Sequence, residues 1–278
     1  MAEARVMTWN VWWRFGPDWR RRQDAIVATL RTVRPDVLAL QETWGTDEGT
    51  QPDELAAALG GFAAFAAPSL PPVPEPPETP DQAGVRLGVG LVSRWPITAM
   101  RAVPLPTRHR PEAPVSLVAV LAHPEGPLPV IVTCLEWEQA YGEDRIAQAQ
   151  AVADLAADPA LDGPAPVLVL GDLNAAPDSP VLQPLLATMT DAYAAGGGDP
   201  TAASLRSDHP SAPLEATELI DRRIDHVLVR PGRAGMRVPA TGARVVGEPV
   251  GGVDPSDHRA VVCDLAWDDG GASGTPTR

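Results

Sequence analysis

The chain has 278 residues, 44% hydrophobic and 21% charged, the proportions of an ordinary soluble globular protein that can bury a substantial core in one large domain or two small ones. Its net charge is −14, and all 22 basic residues are arginine. That balance argues against strong, sequence-independent binding to long duplex DNA, which is driven by phosphate neutralisation.

The N-terminus has no basic segment followed by a long apolar one. No uncharged apolar run approaches the ~18 residues of a membrane span, so a cytoplasmic protein without a transmembrane segment is expected. Cys134 and Cys263 both lie inside apolar runs and are too few for a disulfide framework. No obligate protein partner is evident.

In chain order, "ARVMTWNVW" reads as the first strand, ending in an aromatic-rich loop. Asp18 then stands where it would cap a helix whose apolar positions Ile26, Val27, Leu30 and Val33 follow the helical period, with Pro35 closing it. "DVLALQE" is a short buried strand finishing on Glu42. A helix near 53–59 and a strand near 62–66 follow. "PSLPPVPEPPETP", residues 68–80, carries seven prolines and reads as a semi-rigid surface loop. Strands are expected at 86–93, 97–103, 115–122 and 129–135, then a helix at 144–157 and the strand "PVLVLGD". Residues 194–218 read as a long Gly, Ser, Pro and Asp-rich loop, and "RIDHVLV" and "RAVVCDLAW" as late strands. One domain over 1–267 and a disordered tail over 268–278 complete the expectation, with many strands and few helices suggesting an α/β sandwich.

Several apolar runs end in polar groups: "TWN", "LQE", "GDLN" and "IDH", with "SDH" just before the last strand. Asp172 and Asn174 are two apart at a strand end, so their side chains leave on the same side. If the strands pack in register, Asn10, Glu42, Asp172, Asn174, Asp225, Asp257 and His258 meet at one rim. Such acids repel one another unless cations are bound. An oxygen-rich set without a Cys pair or a His pair suits Mg²⁺ or Mn²⁺ rather than Zn²⁺. His226 alternates with Asp225 and so faces the opposite side of the sheet, as packing. His109 and His209 fall in loops. Among Trp9, Trp12, Trp13, Phe15 and Trp19, core packing accounts for Trp9 and one of the next two; the others, beside Arg14 and Arg20, are candidates to stack on a base or touch a lipid.

"TWN", "RPDVLALQET", "VGLVSRWPI", "GDLNAAPDSP", "RIDHVLV" and "SDHRAVV" resemble, in order, the motifs of the endonuclease/exonuclease/phosphatase superfamily. Each motif is weak alone; their order over residues 4–267 makes the signal specific. The resemblance implies a DNase I-like four-layer α/β sandwich with two packed central β-sheets, and metal-dependent phosphoester hydrolysis at the strand ends. It implies Glu42 as principal metal carboxylate with Asn10 beside it, Asp257 completing the shell, and Asp172 binding metal or orienting the attacking water. Asn174 would hold the phosphate, and His258, partnered by Asp225, would stand at the catalytic centre, as base or as stabilising cation.

In "VIVTCLEWE" many relatives would carry His where this chain has Cys134, a neutral and poor donor to a phosphate oxygen. Cys134 and Arg145 are the candidate substrate-binding residues; Arg145 reads equally as a partner of Glu143 or another acid. The expected function is Mg²⁺- or Mn²⁺-dependent hydrolysis of phosphoesters, chiefly phosphodiesters, in a small molecule, a phospholipid head group or a short nucleic acid. Two alternatives stand beside it: a nuclease on single-stranded or short nucleic acid, and a non-catalytic binding protein that keeps the fold.

Overall fold

The computed structural model describes residues 1–268; residues 269–278 of the expected tail lie outside the described residues. Asp268 itself forms an isolated bridge with Arg237 just past the last strand, its N–H donating to the Arg237 carbonyl.

Two six-stranded sheets form the centre. The first has the order β11 (Ala240–Val246), β12 (Ala260–Trp267), β1 (Ala2–Asn10), β2 (Val37–Gly45), β4 (Arg86–Ser93), β3 (Phe62–Ala66). The second has β5 (Ile97–Pro104), β6 (Val115–His123), β7 (Gly126–Cys134), β8 (Val167–Asp172), β10 (Asp225–Arg230), β9 (Thr190–Asp191). The only parallel pairs among these neighbours, β1 with β2 and β7 with β8, are central in their sheets.

Side-chain alternation sorts the apolar residues into three layers. Val6, Val37, Ala39, Val130, Val132, Leu168, Leu170, Val227, Val261 and Cys263 point between the sheets and form one core. The other parity of the first sheet, Met7, Trp9, Leu38, Leu40 and Val262, packs under α1 (Trp19–Val33) and α2 (Gln51–Leu59) through Ile26, Leu30 and Leu55. On the far side Ile131, Val167, Val169 and Leu228 meet Ala149, Val152 and Ala156 of α3 (Gly142–Ala156) and Leu185 of α4 (Gln183–Leu186). Helix, sheet, sheet, helix is the four-layer α/β sandwich of the DNase I type, as expected.

The helix ends follow local chemistry. Thr50 and Asp53 form a reciprocal capping box that starts α2. Arg34 turns into the left-handed region (φ 52°) to stop α1 before Pro35. Asp18 precedes α1 as expected but makes no side-chain cap; it too is left-handed (φ 52°), and its carboxylate lies 3.5 Å from Arg21 instead. Edge strand β11 was not expected. "ATGARVV" is interrupted by Gly242 and by a register shift between Ala240 and Gly242, so it lacks a clean two-residue period. The long loop also contains α5 (Ala192–Ala195) at its start.

Candidate active site

The inter-sheet core ends in polar residues of the same parity. Asn10 follows Val6 and Thr8 along β1; Asp172 follows Leu168 and Leu170 along β8; Asp225 precedes Val227 and Val229 on β10. Cys134 and Asp225 each stand opposite Asp172 in the pairing register. The alternation that builds the core therefore delivers Asn10, Asp172 and Asp225 to one rim.

Glu42 reaches that rim by a different route. Leu38 and Leu40 face the helix layer, so regular alternation would send Glu42 there as well. The β2–β4 register shifts between Leu40 and Thr43, and Glu42 adopts a left-handed backbone with φ 51°. This bulge turns the carboxylate toward the site. Strand β2 then continues to Gly45 rather than ending at Glu42. Asn174 is also left-handed (φ 46°), a conformation asparagine tolerates better than most residues.

Asn10 joins two acids. Its Nδ2 donates to Glu42 Oε1 at 2.8 Å and to Asp172 Oδ2 at 3.1 Å, while its Oδ1 accepts the Trp12 N–H at 3.0 Å. Asp172 Oδ1 accepts the Asn174 N–H at 2.9 Å, and Asn174 Nδ2 donates to the Leu135 carbonyl at 3.0 Å. His258 Nδ1 lies 2.9 Å from Asp225 Oδ2, and its Nε2 lies 3.9 Å from Asp172 Oδ2. Asp172, Asp225 and His258 each offer a ligand atom within 4.8 Å of the others. Asp257 borders the same cleft, next to a Ser256 hydroxyl that donates to the Asn10 carbonyl at 2.7 Å.

Charge is crowded here. Burial, with the nearby charge of Asp257, pushes the Glu42 carboxyl up to about 8. Burial, with Asp225, pushes Asp172 up to about 6. Burial opposes a charged His258, but the carboxylates of Asp225 and Asp172 outweigh it and hold the imidazole well above its ordinary value. Glu42 Oε2 and Asp225 Oδ1 are buried with no hydrogen-bond partner among the described residues. A carboxylate oxygen left without a donor is costly to bury. With Asp257 beside it, Glu42 presents carboxylate oxygens suited to a hard divalent cation. Asn10, expected as a further ligand, turns its N–H groups toward Glu42 and Asp172 and its Oδ1 toward the Trp12 N–H. His258 fits less well as a ligand, because the neighbouring carboxylates favour its protonated form, which has no nitrogen lone pair to offer.

The structure gives Arg145 a different task from either one expected. It is 6% exposed and donates to the carbonyls of Asn174 (2.7 Å), Trp137 (3.2 Å) and Glu138 (3.0 Å). Both terminal nitrogens are committed to carbonyls, while Nε is buried without a partner among the described residues; the guanidinium fixes the Asn174 turn and does not line the cleft. Cys134 does border the cleft but is 2% exposed and packs in the inter-sheet core. Burial and the Asp172 and Glu42 carboxylates push its thiol well above the ordinary range, so it stays neutral. Trp9 and Trp13 are buried, Trp12 and Phe15 line the cleft, and Trp19 packs edge-on against Trp44.

Sequence reasoning missed the residues that position the others. The Ser204 hydroxyl accepts the N–H groups of Ile224 (2.9 Å) and Asp225 (3.2 Å). The Ser256 hydroxyl also accepts the His258 N–H at 3.1 Å. Buried Arg22 donates to the carbonyls of Val11, Trp12, Trp13 and Phe15 and so shapes the aromatic loop. Only Ser256, inside "SDH", carried a signal of its position.

The layers and this rim define a DNase I-like fold. The sequence profile of the Endonuclease/Exonuclease/phosphatase family matches residues 7–258, and the chain belongs to that family. A humanized TDP2 of D. rerio superposes with a TM-score of 0.72 at 16% identity, over 95% of this chain and 99% of that one. D. rerio TDP2 complexed with a single-strand DNA product gives 0.72 at 17% identity, over 96% and 100%. An endonuclease/exonuclease/phosphatase from Beutenbergia cavernae gives 0.68 at 26% identity, over 96% of this chain and 72% of that one. No curated protein matches the chain. Members of the family are in general phosphodiesterases and nucleases that depend on divalent metal. Among the described residues no helix is long and apolar enough to cross a membrane.

Proposed function

We propose that the protein is a Mg²⁺- or Mn²⁺-dependent phosphodiesterase that cleaves its substrate by direct attack of water. One observation carries this reading: Glu42, Asp172, Asn174, Asp257 and His258, from separate strands and loops, line one cleft, with Asn10 and Asp225 hydrogen-bonded behind them and a buried carboxylate oxygen of Glu42 unpartnered. Glu42, held in place by the Asn10 amide, would bind the cation with Asp257, and the cation's charge would offset that of the phosphoryl oxygens.

The remaining roles belong to the chain itself. Asp172 is fixed by Asn10 and by the Asn174 N–H and faces the cleft, where it accepts a proton of the attacking water and orients it. The Nδ1 contact with Asp225 leaves His258 Nε2 as the imidazole's free end. There it donates to a phosphoryl oxygen as charge builds in the transition state. Asn174, locked through its carbonyl by Arg145, supplies a neutral donor for the same phosphate. A phosphorylated small molecule, a lipid head group or a short nucleic acid remains the substrate range this chemistry serves.

The test is hydrolysis of bis-p-nitrophenyl phosphate and of a short single-stranded oligonucleotide, with EDTA, Mg²⁺ or Mn²⁺, using Asp172→Ala as blank. Chelation is expected to abolish hydrolysis and either metal to restore it. Undiminished hydrolysis in excess chelator, or none with any divalent metal, refutes the reading.

A further inference from the structure

The cleft extends well beyond the reaction centre, with a volume of about 840 Å³. Its outer walls are apolar and acidic. Trp12, Phe15, Trp137 and Leu219 supply the apolar surface, and Glu78, Glu138 and Glu215 the charge. Trp137 is 44% exposed at the rim, unusual for an indole with nothing above it.

Among the described residues no arginine lines this cleft. The nearby ones are occupied. Arg22 and Arg145 are bonded to backbone carbonyls. Arg14 sits between Trp19 and Trp44, its guanidinium carbon 4.2 and 4.7 Å from the ring centroids. Arg110 pairs with Glu136 and Glu138 at 2.6 and 2.8 Å, which offsets Glu138. Beyond Asp257, Arg206 and Arg259 face Asp208 and Asp254. Glu78 and Glu215 have no such cation among the described residues. A site built for several phosphates would present free arginine or lysine donors along the strand path. This one presents indole, phenyl and carboxylate.

Resting on the phosphodiesterase reading above, we propose that the cleft selects diesters carrying a single negative charge and an apolar or aromatic alcohol, seated against Trp12, Phe15 and Trp137. Glu78 and Glu215 repel any further phosphate. Among the described residues lining the cleft, His258 is the only basic side chain, and one phosphodiester saturates it together with a bound cation.

Two substrates that differ by one phosphate test this: thymidine 5′-(p-nitrophenyl phosphate) with and without a 3′-phosphate, both read by p-nitrophenolate release in Mg²⁺ or Mn²⁺, with salt and a charge-removing variant separating charge from bulk. At about 50 mM salt the added phosphate should lower kcat/KM by roughly tenfold, and the difference should shrink as salt screens the carboxylates. In the Glu78→Gln, Glu215→Gln double variant the ratio should fall to about threefold. Trp137→Ala should raise KM for the singly charged ester by about fivefold, the scale of one lost aromatic contact. A 3′-phosphate that raises kcat/KM, or a ratio unmoved in the double variant, overturns the proposal while leaving the phosphodiesterase reading intact. Failure to cleave either ester with metal overturns both.

Discussion

His226 lies on β10 beside the site but on the opposite face, and it makes the fold sensitive to acid. Its Nε2 donates to the Ala175 carbonyl at 2.8 Å, so its Nδ1 must be the lone-pair end, 3.0 Å from the Arg223 guanidinium. A proton on Nδ1 would lose that acceptor and face a fixed positive charge. Burial, with Arg223, accordingly lowers the imidazole from its ordinary 6.5 to about 4. Asp191 and Asp225 pull the other way without prevailing.

Above pH 6.5 both folded and unfolded chains carry neutral His226. Below it the unfolded chain takes up a proton that the folded chain refuses, so stability falls between 6.5 and about 4. Linkage gives a loss of about 2 kcal/mol by pH 5 and about 3 kcal/mol once pH is below the folded value. Glu42 and Asp172, whose folded values are raised, act in the opposite sense, so the total curve is mixed. A difference measurement isolates His226. In His226→Gln the amide donates to Ala175 and accepts from Arg223 without titrating. Urea unfolding of both proteins in EDTA at pH 7.5 and 5 should show a loss about 2 kcal/mol smaller in the variant. Equal losses in the two proteins would refute the argument.

Other substitutions divide chemistry from scaffolding. His258→Ala should lower turnover on bis-p-nitrophenyl phosphate at least ~10²-fold, and Asp225→Ala should lower it as well by freeing the imidazole; near-normal turnover in both would mean the dyad is misassigned. Arg145→Ala leaves three carbonyls without their donor and should cost about 3 kcal/mol in denaturant unfolding; unchanged stability would contradict its role as a clamp. Cys134→His forces an imidazole into the inter-sheet core and should cost roughly 1–3 kcal/mol with no new group in the pH–rate profile. A stable, faster His variant would return that position to the substrate. Cys134→Ser should leave turnover within about threefold, since one neutral group replaces another.

Much of this architecture was legible because central strands buried on both faces read as short apolar runs with polar ends. The apolar runs in "ARVMTW", "VLVL" and "HVLV", buried on both faces, locate β1, β8 and β10, and their polar ends mark Asn10, Asp172 and Asp225. His226 was assigned to the far face by the two-residue period of a strand. What escaped detection depended on departures from the period or on long-range contacts. Glu42 was named from its motif, but parity alone would have placed it under the helices; only the bulge puts it in the site. Edge strand β11 has a broken period. Arg145 was misjudged because a guanidinium near an active site suggests phosphate, and nothing local reveals three carbonyls 7, 8 and 29 residues away. Ser204 acts through backbone N–H groups and stands in no motif, which leaves no pattern to read.

Asn10 shows why the core and the site are one construction. Its position at the end of β1 is inward-facing, and a larger apolar residue there would simply extend the inter-sheet core. An acid would add another charge to a rim where Glu42 and Asp172 are already pushed toward their protonated forms. An amide avoids both outcomes. Its two N–H bonds bridge an acid of its own sheet to one of the opposite sheet, and its carbonyl oxygen anchors the aromatic loop through Trp12. The neutral side chain thus offsets part of the repulsion between Glu42 and Asp172 and fixes their separation. It does not satisfy Glu42 Oε2, which stays bare. The sandwich therefore closes around a rim held in geometry by a hydrogen-bonded amide but left electrostatically incomplete, a state that costs stability in the protein alone and favours a cation at Glu42.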